Sequence, residues 1–307
     1  MGCRRNICQP SAILLLMAAN LMWAGQGVAV KLLAGGLEPL ATALLPLYCI
    51  TIAGLGILLL QRDVAYKFRA AWSLRRDFFL AGICGQMMAQ VGMTLGVSWS
   101  TAANGAILSL LIPIFGALIA VWLLRERFSV LRVGTMLLGL AGVFLLSPLH
   151  RIFVPGTQNH QLAGNFLIAI GCLGSAFYNV YSKRLLEYFS GIEALFFSYL
   201  STTIFSVPIL FALEPHCLNR LVHLKSVQWG AFIYLAIFVY GVSMVFFLQA
   251  LNTVDAVIAS VSLYLMPLFG IVLAFSILGE HIAPHTLLGA GIVLTATLLL
   301  FRFDYAF

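Results

Sequence analysis

The sequence predicts an all-α integral membrane protein of ten transmembrane helices, and three observations carry that prediction. Charged residues make up 9% of the 307 residues, against about 25% in a soluble globular protein. Apolar residues make up 62%, and the mean hydropathy is +1.03. The apolar residues fall in runs of the roughly 20 residues that a membrane crossing needs. A chain with so little charge cannot cover a water-facing surface, which excludes a soluble enzyme, a DNA-binding domain and a disordered scaffold.

In chain order the runs are Ser11–Leu33, Pro39–Gln61, Asp77–Trp99, Thr101–Leu124, Ser129–Ser147, Leu162–Lys183, Gly191–Leu213, Val227–Leu251, Asp255–Leu278 and Pro284–Phe303. Most connections are very short, so neighbouring helices are expected to run antiparallel. The longer ones are Arg62–Arg76, Pro148–Gln161 and Glu214–Ser226, none long enough for a soluble domain. Arg4 and Arg5 ahead of the first run resemble a signal-peptide start, but the run continues through Trp23 to Leu33 and reads as an uncleaved span. Met1-Gly2-Cys3 lacks the Ser or Thr at position 6 that myristoylation needs, since Asn6 stands there.

Orientation follows from the loop cations. With the N-terminus inside, thirteen of the seventeen Lys and Arg face the cytoplasm, and only Lys31, Arg151, Arg220 and Lys225 face out. Both termini are then cytoplasmic, in a multi-pass protein of the cell (inner) membrane. The bias also accounts for the formal charge of +7 without a nucleic-acid partner, because the cations sit at span ends and not along one face.

An internal repeat sets the architecture. Pro113-Ile-Phe115-Gly116-Ala-Leu-Ile-Ala120, followed by Leu124-Arg-Glu126, returns as Pro267-Leu-Phe269-Gly270-Ile-Val-Leu-Ala274, followed by Leu278-Gly-Glu280, at an offset of 154 residues. The same offset places Thr101 on Asp255; with small gaps, Ala24 and Lys31 fall on Ala176 and Lys183, and Glu38 falls near Glu193. Five spans per half is an odd number, so the second half enters the membrane inverted, as in many secondary transporters.

Pro-x-Phe-Gly followed by a Leu-rich run and Glu, twice in register, resembles the EamA-type transporters of the drug/metabolite transporter superfamily. The resemblance implies two five-helix repeats, residues 11–147 and 162–303, in a 5+5 fold. It also implies a central cavity lined by spans 1, 3, 4, 6, 8 and 9, and transport of a small metabolite across the cytoplasmic membrane. Members of the superfamily carry amino acids, other metabolites, drugs and nucleotide sugars, so the substrate stays open.

The candidate binding residues are neutral and lie on those spans: Asn20, Trp23 and Gln26 on span 1; Gln86 and Gln90, four apart and so on one face, on span 3; and Asn104 on span 4. Span 6 adds Tyr178, Asn179 and Tyr181, span 8 Tyr240 and Ser243, and span 9 Ser260 and Tyr264. Each of them has an alternative role as a bridge between helices. Aromatic area with orienting amides suits a neutral or zwitterionic solute, whereas a multiply charged anion needs an Arg cluster.

Pro113 and Pro267, near mid-span, are candidate hinges, because proline frees a helix carbonyl; static kinks are the alternative. Glu126 and Glu280 are expected to stabilise the N-terminus of the following helix through its dipole, with a gating ion pair as the other reading. Asp255, a good N-cap, and Glu38 are the candidates for proton coupling. Lys31 and Lys183 near span ends can snorkel to the headgroups or meet a substrate carboxylate. Gly92-xxx-Gly96, Gly116 and Gly270 are expected to allow close helix contact.

No carboxylate stands at the centre of a span, and there is no HExxH or paired midspan carboxylate, so no enzyme is expected. The six Cys and six His have no metal-ligand spacing, so no metal or cofactor is expected either. The leading expectation is a secondary transporter or exporter of amino acids or similar solutes, as a monomer or homodimer. The alternatives are a multidrug or nucleotide-sugar carrier and, further off, a receptor or structural membrane subunit.

Overall fold

In hydrocarbon every backbone N–H and C=O must be paired within the protein, which leaves a run of apolar residues the choice of helix or closed barrel. The computed structural model describes residues 10–61, 63–100, 111–124 and 159–266 continuously, with isolated positions between 105 and 141 and between 269 and 299. Among the described residues the structure is helical, with no strand. Six helical stretches are long and apolar enough to cross a membrane: Ser11–Leu33, Pro39–Leu59, Arg75–Trp99, Ala163–Leu185, Gly191–Leu213 and Ser226–Leu251.

The first stretch consists of α1 (Pro10–Ala24) and α2 (Gln26–Leu33), separated at Gly25. There a Cβ would lie 2.3 Å from the Tyr234 hydroxyl. Gly35, with φ of 81°, then turns the chain into α3 (Pro39–Leu59), and only glycine takes that left-handed conformation without cost. A short amphipathic α4 (Val64–Ser73) leads to the third stretch. That stretch is α5 (Arg75–Leu80), a π-helical segment π1 (Ala81–Met87) and α6 (Met88–Trp99). The apolar α7 (Leu111–Leu124) follows.

The second half begins with α8 (Asn159–Leu185) and α9 (Gly191–Leu213). A small α10 (Cys217–Val222) leads to α11 (Ser226–Ile233), a second π segment π2 (Tyr234–Val242), α12 (Ser243–Leu251) and α13 (Ala256–Ser262). The middles of π1 and π2, Cys84 and Phe238, are 154 residues apart, the offset of the Pro-x-Phe-Gly motifs. Most of the fifth and tenth expected spans, and the ends of the fourth and ninth, lie outside the described residues.

The main helix pairings join the two halves. α8 runs along α6 and π1, while α1 runs along α12; α3 packs on α9 and π2, α9 on π1, and α7 on α13. Lipid offers helices no hydrophobic reason to associate, so contact depends on close approach at small residues. The α6–α8 seam shows this. A Cβ on Gly92 would lie 2.9 Å from Gly171 backbone atoms and the Leu167 carbonyl oxygen, and one on Gly96 would lie 2.7 Å from the Gly164 carbonyl oxygen. Gly116 of α7 likewise abuts the Ser260 hydroxyl of α13.

The halves are also tied at their rims. Ser190 and Glu193 form a capping box on α9, and Glu193 is ion-paired with Lys67 of α4. α3 borrows its cap: the Glu214 carboxylate, just past α9, accepts from the N–H groups of Leu40 (2.9 Å) and Ala41 (2.7 Å). Burial raises the Glu214 pKa above its usual 4.5, with nearby Glu38 adding to the rise; the two N–H bonds and Arg220 only partly oppose it. The folded state therefore holds this proton more tightly than the unfolded state, and its contribution to stability is lost as pH rises through the folded pKa. Thermal unfolding in detergent should show the wild type gaining stability relative to Glu214→Gln as pH falls from 7 toward 4.5; parallel profiles would refute it.

Candidate functional site

The polar residues of the bundle centre converge on one seam. Gln86, Gln90 and Thr94 recur every fourth residue through π1 and α6, which sets them on one helix face. Gln90 Nε2 donates to Gln86 Oε1 at 3.3 Å, and Gln26 Nε2 of α2 donates to Gln90 Oε1 at 3.3 Å. Gln86 Nε2 faces the Met244 sulfur of α12 at 4.0 Å. Gln86 and Gln90 are buried, whereas Gln26 is partly accessible. An amide ladder thus links α2, the π1–α6 stretch and α12.

Three buried hydroxyls border the ladder without a hydrogen-bond partner: those of Thr94, Tyr178 and Tyr240. The Tyr240 hydroxyl lies beside Thr94 and Gln26, and that of Tyr178 beside Gln86, Ser182 and Ser198, in each case outside hydrogen-bonding geometry. Buried polar groups are nearly always paired, so several orphans around one amide ladder mark a place built to hydrogen-bond something else. Farther along α1, Asn20 Nδ2 donates to Leu16 O (2.7 Å) and Ser262 Oγ (3.2 Å), leaving Oδ1 unpaired; the Tyr264 hydroxyl is also buried and unpaired. Among the described residues no charged side chain hydrogen-bonds to this seam.

The π segments explain why the seam has this shape. A π turn shifts the hydrogen-bond register and leaves carbonyls to be satisfied from outside the helix. Thr202 of α9 donates to Gly82 O in π1 at 2.8 Å. In π2, Trp23 Nε1 donates to Val239 O at 3.1 Å and the Tyr199 hydroxyl to Tyr240 O at 3.0 Å, while Ser243 also bonds Val239 O. Trp23, whose ring packs 5.3 Å from that of Phe247, thus anchors π2 with its one donor. Trp23→Phe keeps the ring contact and should destabilise the protein by about 1 kcal/mol, the worth of one hydrogen bond, in detergent unfolding; no loss would show that Ser243 alone satisfies the carbonyl.

The other sequence candidates divide. Asn179 is buried in α8. Tyr181 lies away from the seam, its hydroxyl donating to Asp77 Oδ1 at 2.6 Å and its ring stacked on Phe177. Pro113 is not at a mid-helix position: α7 starts at Leu111, which puts it in the first turn, where a proline costs no hydrogen bond. Ser109, two residues before α7, stands in a turn whose carbonyl accepts from Ile112 N–H. Asp255 is 3.7 Å from Lys183, and Glu38 is 2.9 Å from Arg220. Lys31 donates to Val97 O in the last turn of α6, where the dipole favours a cation, and Lys183 donates to Val254 O in the turn between α12 and α13. Asn104, Glu126, Pro267, Gly270 and Glu280 lie outside the described residues. Thr94 was not among the sequence candidates; its place four residues after Gln90 is the signal that finds it.

Comparison with known proteins gives one consistent picture. A family model described as the EamA-like transporter family matches residues 10–147 and 162–302. A probable terminal-alkyne amino-acid exporter of Streptantibioticus cattleyicolor is 22% identical over 95% of this chain and 93% of that protein. An uncharacterized transporter of Archaeoglobus fulgidus is 26% identical over 92% of this chain and 96% of that one. A solved crystal structure superposes with a TM-score of 0.74 at 20% identity, over 95% of this chain and 96% of the other, which shows a shared fold.

Proposed function

The chain belongs to the EamA-like transporter family, and from that membership we propose that it is a secondary carrier exporting small neutral or zwitterionic solutes, amino acids favoured. The observation that carries the substrate class is the Gln26–Gln90–Gln86 ladder with the unpaired hydroxyls of Thr94, Tyr178 and Tyr240 around it. Amides and hydroxyls both donate and accept, so they can hold a solute's amino and carboxyl groups without a fixed counter-charge. The naming of one relative as a probable amino-acid exporter supports the same class.

The proposed architecture is ten spans as two inverted five-helix halves, with both termini cytoplasmic, in the cell (inner) membrane. Exchange of each first-half helix with its counterpart maps the α1–α12 pairing onto α8–α6, and α3–π2 onto α9–π1, as a two-fold axis in the membrane plane requires. Rocking of the halves about that axis would open the seam to each side in turn. The solute and the bilayer are the expected partners, and the working unit a monomer or homodimer.

Purified protein in liposomes loaded with unlabelled amino acids should exchange them for external labelled amino acid with saturable kinetics. Repeating the assay with an imposed pH gradient tests whether Asp255 or Glu38 couples flux to protons. Exchange of dyes or nucleotide conjugates with no amino-acid exchange would overturn the substrate class, and no flux of any solute would overturn the carrier reading.

A further inference from the structure

A cavity among the described residues stands apart from the polar seam. It is an apolar groove of about 390 Å³ between α3, α9 and the π2–α12 stretch. Buried Leu195, Phe196 and Tyr199 form its floor, and the exposed Ala53, Ile57 and Ile237 stand at its rims. Gly54 and Gly241 keep it deep: a Cβ on Gly54 would lie 3.1 Å from the Phe196 ring, and one on Gly241 3.2 Å from Ile50 Cδ1. All three walls belong to stretches long and apolar enough to cross a membrane, and the exposed rims are apolar, a lining that suits lipid and not a polar solute.

One end of the groove meets α4. Phe68 of α4 sets its ring edge-on to Phe196 of the floor, with centroids 6.1 Å apart, and to Phe197 at 5.3 Å. Lys67 is ion-paired with Glu193, the neighbour of groove-lining Ile192. α4 and the start of α5 carry exposed Tyr66 and Trp72 together with exposed Arg69, Arg75 and Arg76, a mixture characteristic of the headgroup level. Arg75 sits over the Trp72 ring, 5.7 Å from its centroid. The nearby acids are mostly engaged, Glu193 by Lys67 and Asp77 by Tyr181, leaving Asp63 at the α4 N-cap. Among the described residues Arg69 and Arg76 make no ion pair.

We propose that this groove is a lipid site: it holds one acyl chain of an anionic phospholipid from the leaflet against which α4 lies, with the headgroup on the basic face of α4 and α5. An apolar trough supplies the chain with a wall in place of neighbouring lipid, and Arg69 and Arg76 supply the charge complementarity that selects the headgroup. The site is separate from the amide ladder and does not depend on the carrier reading.

Protein purified in mild detergent and titrated with phosphatidylglycerol or phosphatidylcholine, both palmitoyl-oleoyl, should retain one lipid in native mass spectra, with phosphatidylglycerol favoured about tenfold. Ala53→Trp, at an exposed rim, should lose retention of both lipids with thermal unfolding unchanged. The Arg69→Gln/Arg76→Gln double variant should erase the preference yet keep phosphatidylcholine retention. Equal retention of the two lipids by the wild type, or undiminished retention by Ala53→Trp and by a second filler, Ile237→Trp, would overturn the proposal. A change of oligomeric state in Ala53→Trp would overturn it in favour of an interface between copies. None of these readouts requires solute flux, so failure here and failure of the transport assay are distinguishable.

Discussion

Replacing Gln90 with Leu is expected to cut amino-acid exchange roughly 10- to 100-fold while leaving a folded, monodisperse protein. Leucine fills a similar volume, so little packing is lost at this buried position. What is lost is the middle of the ladder: the Gln26 amide N–H and the Gln86 carbonyl both lose their partner. An unsatisfied buried polar group costs about 1–3 kcal/mol, which corresponds to about 5- to 150-fold in an equilibrium constant. The loss should appear in the concentration dependence of exchange, because the displaced amides no longer present a fixed pattern to the solute. Tyr181→Phe is the matched control. Its hydroxyl is committed to Asp77 at the rim, and its removal should leave exchange kinetics unchanged. Equal effects of the two substitutions would mean that the ladder is structural only.

The second large effect is expected at Gly92. A Cβ at this position would lie 2.9 Å from Gly171 Cα, from Gly171 N and from the Leu167 carbonyl oxygen. All three are main-chain atoms, so no side chain can swing aside and the helices must part. Gly92→Ile should therefore destabilise the protein by about 3 kcal/mol or more, lowering Tm by roughly 10 °C in detergent. Gly230→Ala, with nothing within 4 Å of its Cβ, should leave Tm unchanged. A similar Tm for both variants would show that the α6–α8 seam tolerates separation.

How much of this was written in the sequence depends on the interaction involved. Gly191–Leu213 stands with the bounds that its apolar run predicts, because its start is fixed locally by Ser190 and Glu193. Ser11–Leu33 keeps its predicted bounds as well, though Gly25 divides it. Those boundaries are matters of hydropathy and neighbours a few residues apart. The ladder was half legible: Gln86 and Gln90 share a face by spacing alone, but Gln26 joins them only through the fold. The roles of Trp23 and Tyr181 were not legible, since a donor's partner 216 or 104 residues away leaves no local mark. Nor could Glu214 be read as the cap of α3, because the acceptor and the N-terminus that it serves lie 173 and 174 residues apart.

The two π segments carry a consequence for how this chain can change over evolutionary time. A single extra residue in a helix would normally turn everything after it by about 100°; a π turn absorbs that residue and keeps the flanking faces in phase. α5 and α6, and likewise α11 and α12, thus keep one continuous set of faces across the extra residue, one end at its packing partners and the other at the seam. Deleting one residue within Ala81–Met87 would straighten the helix while shortening it, and the carbonyl that Thr202 now holds would return to the ladder of main-chain bonds. Relatives that differ by single-residue gaps at these two places would then be expected to keep the same flanking faces toward the seam, and to differ only in the carbonyls and side chains of the π turn itself.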